Sequence, residues 1–159
     1  MLLATYLNDH LGAATAGREL AKRAAGNNRD SSYGSFLEQL AAEIDEDRES
    51  LLTIMRAVDI SVDHTKVLAG WGAEKLGRLK LNGRLLGYSP LSRVVELEAL
   101  ALGVSGKLAL WRTLDQLQPA ESRLAEVELA DLMRRAHRQL EQLESQRLVA
   151  VGEAFGRRG

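Results

Sequence analysis

The stretch LEQLAAEIDEDRESLLTIMRAV, residues 37–58, decides the fold class. Leu37, Leu40, Ile44, Leu51, Met55 and Val58 recur three, four or seven positions apart, which places them on one face of an α-helix. Asp47 falls on that stripe where an apolar side chain belongs. The preceding stretch, residues 2–25, behaves similarly: Leu3, Leu7, Ala14, Gly17, Ala21 and Ala24 make a stripe that His10 interrupts. If the two helices form an antiparallel hairpin about residues 26–34, residues equidistant from its middle share a level. His10 and Asp47 then lie within about one helical turn of each other. An imidazole facing a carboxylate inside a bundle either satisfies it by hydrogen bonding or joins it as a metal ligand. We expect the mutual pair, because two ligands are too few for a metal site and a buried polar pair fixes helix register.

Composition supports a helical reading of the whole chain. The 159 residues suffice for one domain, residues 1–159, with a sizeable core. Apolar residues make up 45%, mainly Leu and Ala, while aromatics are only 4% and prolines number two, a balance that favours helix over sheet. A formal net charge of −1 gives no global field to attract nucleic acid or an anionic membrane. Cysteine is absent, which removes disulfides, thiolate catalysis and sulfur-ligated zinc. The opening MLLATYLNDH has no basic n-region and reads as helix, not as a signal peptide. No apolar run is long enough to span a bilayer. We expect a cytoplasmic protein, and the preference for Arg over Lys suits a bacterium with a GC-rich genome.

Local signals divide the rest of the chain. Gly26 and the polar run after it end the first helix. Ser35 with Glu38 three residues on reads as a capping box opening the second, whose Glu38, Asp45, Glu46 and Glu49 make a solvated acidic face. Asp63 is a candidate N-cap for a third segment, residues 64–86. That segment interleaves apolar Val67, Leu68, Trp71, Leu76, Leu79 and Leu86 with basic Lys75, Arg78, Lys80 and Arg84. The four cations read as a face lying against the acidic second helix; the alternative is an anion or nucleic-acid contact. Gly87, Ser89 and Pro90 punctuate the start of a fourth helix, residues 90–117. Its stripe is Leu91, Val94, Leu97, Ala101, Val104, Leu108, Trp111 and Leu114. Gly103 and Gly106 sit inside it at about 1 kcal/mol each relative to Ala, so they signal either close helix approach or a bend. A last helix, residues 121–155, turns Leu129, Leu132, Ala136, Leu140, Leu143, Val151 and Ala154 inward. The expected fold is all-α: an up-down bundle of four long helices plus one additional helix, for which the third segment is the candidate.

The helix lengths, the apolar LLTIMRAV run closing the second helix and the later VVELEALALGVSGKLALWRTL resemble ferritin-like bundles, in particular the small YciF-type proteins. The resemblance implies a di-metal centre in which two helices each supply a Glu and two supply a Glu-x-x-His motif. On that pattern Glu98 is similar to the single Glu of the third core helix. Glu43 and Glu141 are similar to the Glu of the two motifs, but Glu46 and Glu144 stand three residues on, where histidine belongs. The first helix offers Asp9 or His10 where the family has Glu. Both histidine motifs are thus missing, and the candidate ligands that remain are His10, Glu43, Asp47, Glu98 and Glu144.

Other chemistry finds no motif. There is no Gly-x-Ser-x-Gly elbow, and GVSGK lacks the phosphate-loop spacing. His137 and Glu141 read as a surface pair and His64 as an exposed residue. We therefore expect a non-enzymatic bundle without cofactor that acts through self-association, as a homodimer, or through partner binding, with neither membrane nor nucleic acid as its target. The alternative is an unusual iron or manganese carboxylate protein with oxidase or stress-related activity.

Overall fold

The computed structural model describes residues 1–65 and 88–156. Among them the chain is an all-helical bundle: α1 (Leu2–Asn27), α2 (Gly34–Ala57), α3 (Pro90–Leu117), a 3₁₀ turn (Ser122–Leu124) and α4 (Leu129–Phe155). No described residue is in a strand, and no described helix is long and apolar enough to cross a membrane. The third segment lies outside the described residues except at His64 and Thr65, and so do Lys75, Arg78, Lys80 and Arg84. At its entry Asp63 does accept the Thr65 N–H (3.0 Å), as an N-cap should.

Helix directions follow from the contacts at the two ends. At one end Asn28, in the α1–α2 turn, donates to the Tyr88 hydroxyl (2.7 Å) and accepts from Arg93 Nε (2.7 Å), and Arg93 also reaches Glu153 (2.6 Å). At the other end Asn8 donates to Ser61 O and accepts from the Asp63 N–H, Tyr6 meets Thr113, and Arg123 donates to Val58 O. Thus α1 and α4 point one way, and α2 and α3 the other. Thr65 and Tyr88 consequently lie at opposite ends of the bundle. The chain forms two hairpins, α1–α2 and α3–α4, each closely packed, while α1 meets α3 far less closely.

The stripes build the core. Leu37, Leu40, Leu51, Ile54 and Met55 of α2 are buried with Leu97, Leu100, Leu108, Trp111 and Leu114 of α3 and Leu129, Ala136 and Leu143 of α4. Each Leu-sized side chain removed from water contributes about 1.5–3 kcal/mol. On α1 the buried line is Leu7, Leu11, Thr15, Ala21 and Ala24; Ala14 and Gly17 lie to one side of it and face α3. Leu91, expected on the α3 stripe, is exposed at the helix start.

Several boundaries differ from expectation. Gly26 is inside α1; Asn28 closes that helix, its N–H and its Nδ2 both donating to Ala24 O. Ser35 does not cap α2. The helix is already under way at Gly34, whose N–H donates to Ser31 O (3.1 Å), while the Ser31 hydroxyl accepts the Tyr33 N–H. Gly34 is required there: a Cβ would stand 2.6 Å from Arg29 O. The last helix starts at Leu129, because Glu121 instead caps the short 3₁₀ turn through the Arg123 N–H. Asp59 ends α2 at φ 56, with Ile60 N–H on Met55 O and its own N–H on Arg56 O, the double closure usually given to glycine. Ser89 and Pro90 open α3 as expected, in a capping box with Ser92.

Candidate functional site

Asp47 is 2% exposed, at the middle of the bundle. The apolar neighbours Ile44 and Leu51, three before and four after it on α2, carry it inward. Lys107 Nζ donates to its Oδ2, and Arg135 Nη2 lies 2.6 Å from its Oδ1. Gln139, fully buried, completes the set: its Oε1 accepts from Lys107 (2.6 Å), and its Nε2 donates to Glu43 (2.9 Å) and Asp47 (3.3 Å). That orientation of the amide is the one the chemistry demands, since an ammonium only donates and carboxylates only accept. Arg138 pairs with Glu43 (3.0 Å) and Arg135 also with Glu46 (2.9 Å). Three carboxylates from α2 therefore face three cations from α3 and α4.

Burial pushes the Lys107 pKa down, and Arg135 adds to that, while Asp47 and Glu43 pull it back up. Burial also pushes Glu43 up, but hydrogen bonds from Gln139, Gln39 and Arg138 outweigh it and leave the carboxyl below its ordinary value. Breaking one partner of such a set leaves a charge buried and uncompensated, at about 3–5 kcal/mol.

The expected His10–Asp47 pair is not formed. Asp47 is engaged by Lys107, Arg135 and Gln139, and the His10 ring stands edge-on to Tyr6 at 4.6 Å between centroids. Burial lowers the His10 pKa against the opposing charge of Asp9, so the imidazole is neutral at pH 7. The five candidate ligands fall in three places. Glu43 and Asp47 share Gln139; His10 borders a cavity that Asp47 also lines. Glu98, half exposed, and Glu144, exposed, both turn to Arg147 (3.6 and 2.7 Å). Among the described residues no three His, Asp or Glu side chains are placed to share an ion.

The donor set does not fit a di-metal centre. Both Asp47 oxygens already face protein cations, and two unit charges about 4 Å apart repel by roughly 4 kcal/mol at an effective dielectric near 20. His137 and His64 are exposed, as expected, and His137 has Arg112 as its neighbour (3.4 Å).

Two recesses flank this centre. Between α2 and α4 an open furrow of about 1030 Å³ is lined by Glu46, Glu49, Glu128, Asp131 and Arg135 among others. Between α1 and α3 a cavity of about 210 Å³ is walled by small and aliphatic residues, with Asp47, Lys107, His10 and Trp111 on its lining. No protein-family model, curated protein or solved structure matches the chain.

Proposed function

We propose that the chain is a non-catalytic, ferritin-like helical bundle whose interior carboxylates are balanced by its own lysine and arginines in place of metal ions. It acts by association, first of all with a second copy of itself. The observation that carries this reading is the double engagement of Asp47: Lys107 on one oxygen, Arg135 on the other, Gln139 closing the set. A centre completed in that way leaves no open coordination position for chemistry on oxygen or substrate. The ferritin-like part is supported by helix direction: α2 and α3 run parallel, as in bundles with one long crossover connection. The association part is supported by Leu148 and Phe155, both exposed and two turns apart on one face of α4, with exposed Leu91 near the same end.

An iron or manganese carboxylate centre would require Lys107 to leave Asp47, and Glu98 and Glu144 to leave Arg147. Elemental mass spectrometry after anaerobic loading with ferrous iron, run beside light scattering, tests the two readings together. We expect no stoichiometric metal, an unchanged helical spectrum and a dimer at micromolar concentration that Leu148→Glu with Phe155→Glu converts to monomer. Near two irons per chain, lost in Asp47→Ala, would replace this reading with the oxidase. A wild-type monomer would remove the association.

A further inference from the structure

The cavity between α1 and α3 has a wall with three unusual properties. First, Gly17, Gly103 and Gly106 line it from helix interiors, where glycine is disfavoured relative to alanine. A Cβ built on any of them meets no described atom within 4 Å. Among the described residues neither crowding nor close helix approach calls for glycine at these positions; Gly103 and Gly106 are exposed and Gly17 half-buried, so they form the open mouth of the recess. Second, the polar groups on the wall are mostly donors with unused capacity. Trp111 is completely buried, and its indole Nε1–H has no partner among the described residues. Lys107, one turn earlier on the same face of α3, commits two of its three N–H groups, to Asp47 and Gln139. Asp47, the one carboxylate among the described lining residues, has Oδ2 hydrogen-bonded to Lys107 and Gln139 and Oδ1 ion-paired with Arg135 without a hydrogen bond. Third, apart from His10 and Arg48 the remainder of the wall is apolar, with Ala14, Ile44, Leu51, Leu100, Val104 and Leu110. A few convergent polar groups in an apolar recess are the usual form of a small-molecule site.

We propose that this cavity binds a small monocarboxylate: an apolar body seated between α1 and α3, its two carboxylate oxygens accepting from Lys107 Nζ and Trp111 Nε1. A cavity of about 150 Å³ holds benzene, so the 210 Å³ available suits a ligand of about eight or nine non-hydrogen atoms. A buried N–H without an acceptor is costly, and an anion that supplies one to Trp111 while meeting a buried ammonium answers both needs at once. The glycines leave the mouth of the recess unobstructed, and the other cation on the lining, Arg48, is already committed to Glu49 (2.8 Å) and Thr15 (3.3 Å). The site does not depend on the self-association proposed above.

Calorimetric titration of the full chain with hexanoate and benzoate, against 1-hexanol and benzyl alcohol, tests the proposal. The Trp71→Phe variant is used in parallel, so that Trp111 gives the single indole N–H signal in a ¹⁵N spectrum. We expect each carboxylate to bind at least tenfold more tightly than its alcohol, a difference of about 1.4 kcal/mol, and to shift the Trp111 indole signal. Gly103→Leu and Gly106→Leu, which fill the cavity, should each weaken binding at least tenfold while the melting temperature stays level or rises; Ala14→Leu does the same from the opposite wall. Absence of binding at millimolar carboxylate overturns the proposal, because water then suffices for the indole. So does equal binding of the alcohols, which would leave an apolar void without anion recognition. Binding that survives in the filled variants overturns it as well, since the ligand would then sit elsewhere.

Discussion

Two seams join the hairpin α1–α2 to the hairpin α3–α4, and at mid-height they are built from opposite materials. Along the α2–α4 seam the contacts are ionic: Glu43, Glu46 and Asp47 meet Arg138, Arg135 and, from α3, Lys107. Along the middle of the α1–α3 seam the facing residues are small, and a methyl added at Gly17 or Gly103 meets no described atom, while Arg23 pairs with Glu96 (3.3 Å) toward one end and Tyr6 meets Thr113 at the other. The apolar stripes hold each hairpin together and fill the centre, so a seam can be given over to something other than hydrophobic contact. Charge in one seam costs desolvation and returns a defined register; space in the other costs helix propensity and returns a recess.

Breaking the ionic seam should have the largest effect. Lys107→Met leaves Asp47 with one cation and Gln139 without its donor, and should cost about 3–5 kcal/mol in denaturant unfolding, lowering Tm by roughly 10 °C. Asp47→Leu in the Lys107→Met background should recover most of that loss, because an apolar pair of similar volume carries no stranded charge. A single-variant loss below about 1 kcal/mol would mean that the carboxylate is solvated and the seam is not held by charge. Arg93→Ala comes next. It removes charged hydrogen bonds to Asn28 and Glu153 and the stacking over the Tyr33 ring (4.4 Å), for about 1.5–3 kcal/mol by the same assay.

The small-residue seam should respond with the opposite sign. Gly103→Ala and Gly106→Ala should each stabilise by up to about 1 kcal/mol, raising Tm by a few degrees. A loss of stability at either position would show that the space is not free in solution. The smallest expected effect sharpens the ionic side. Glu43 titrates below its ordinary value of 4.5 in the folded chain, so below pH 4.5 the unfolded chain binds more protons than the folded one. Its contribution is fully present above pH 4.5 and is lost as pH falls through the lower folded value. Glu43→Gln should therefore flatten the acid limb of a stability–pH profile while leaving the shape of the curve above pH 5 unchanged.

How much of this was legible in the sequence depends on distance along the chain. The stripe of residues 37–58 identified Asp47 as an inward carboxylate, and it is one. Lys107 and Gln139 carry the same mark: Val104 and Trp111 flank Lys107, and Ala136 and Leu143 flank Gln139, at the three-before and four-after spacing of Ile44 and Leu51 around Asp47. The same spacing marks one inward polar side chain in each of the three helices. Their pairing was not legible, because it depends on the relative direction of α2 and α3, which no local pattern states. His10 matched Asp47 in level but not in azimuth, and a hairpin argument fixes only the level. Glu98 and Glu144 came from resemblance alone; both lie on exposed faces, where Arg147 satisfies them. The lost boundaries at Ser35 and residue 121 have one cause: a neighbouring side chain, Ser31 or Glu121, took the free N–H groups of a turn that sequence alone assigns to the helix.

The separation of those partners also orders events in time. Each hairpin closes on local contacts, whereas Lys107 meets Asp47 across 60 residues and Gln139 meets it across 92. Local pairing is fast and distant pairing slow, so we expect the contacts of Asp47 to Lys107 and Gln139 to form after both hairpins, with Lys107→Met changing the unfolding rate more than the folding rate in stopped-flow kinetics. Interactions made late are absent from the folding barrier and weigh on the return path instead. The charges at the middle of the bundle therefore act less on how quickly the native state is reached than on how long it lasts once formed.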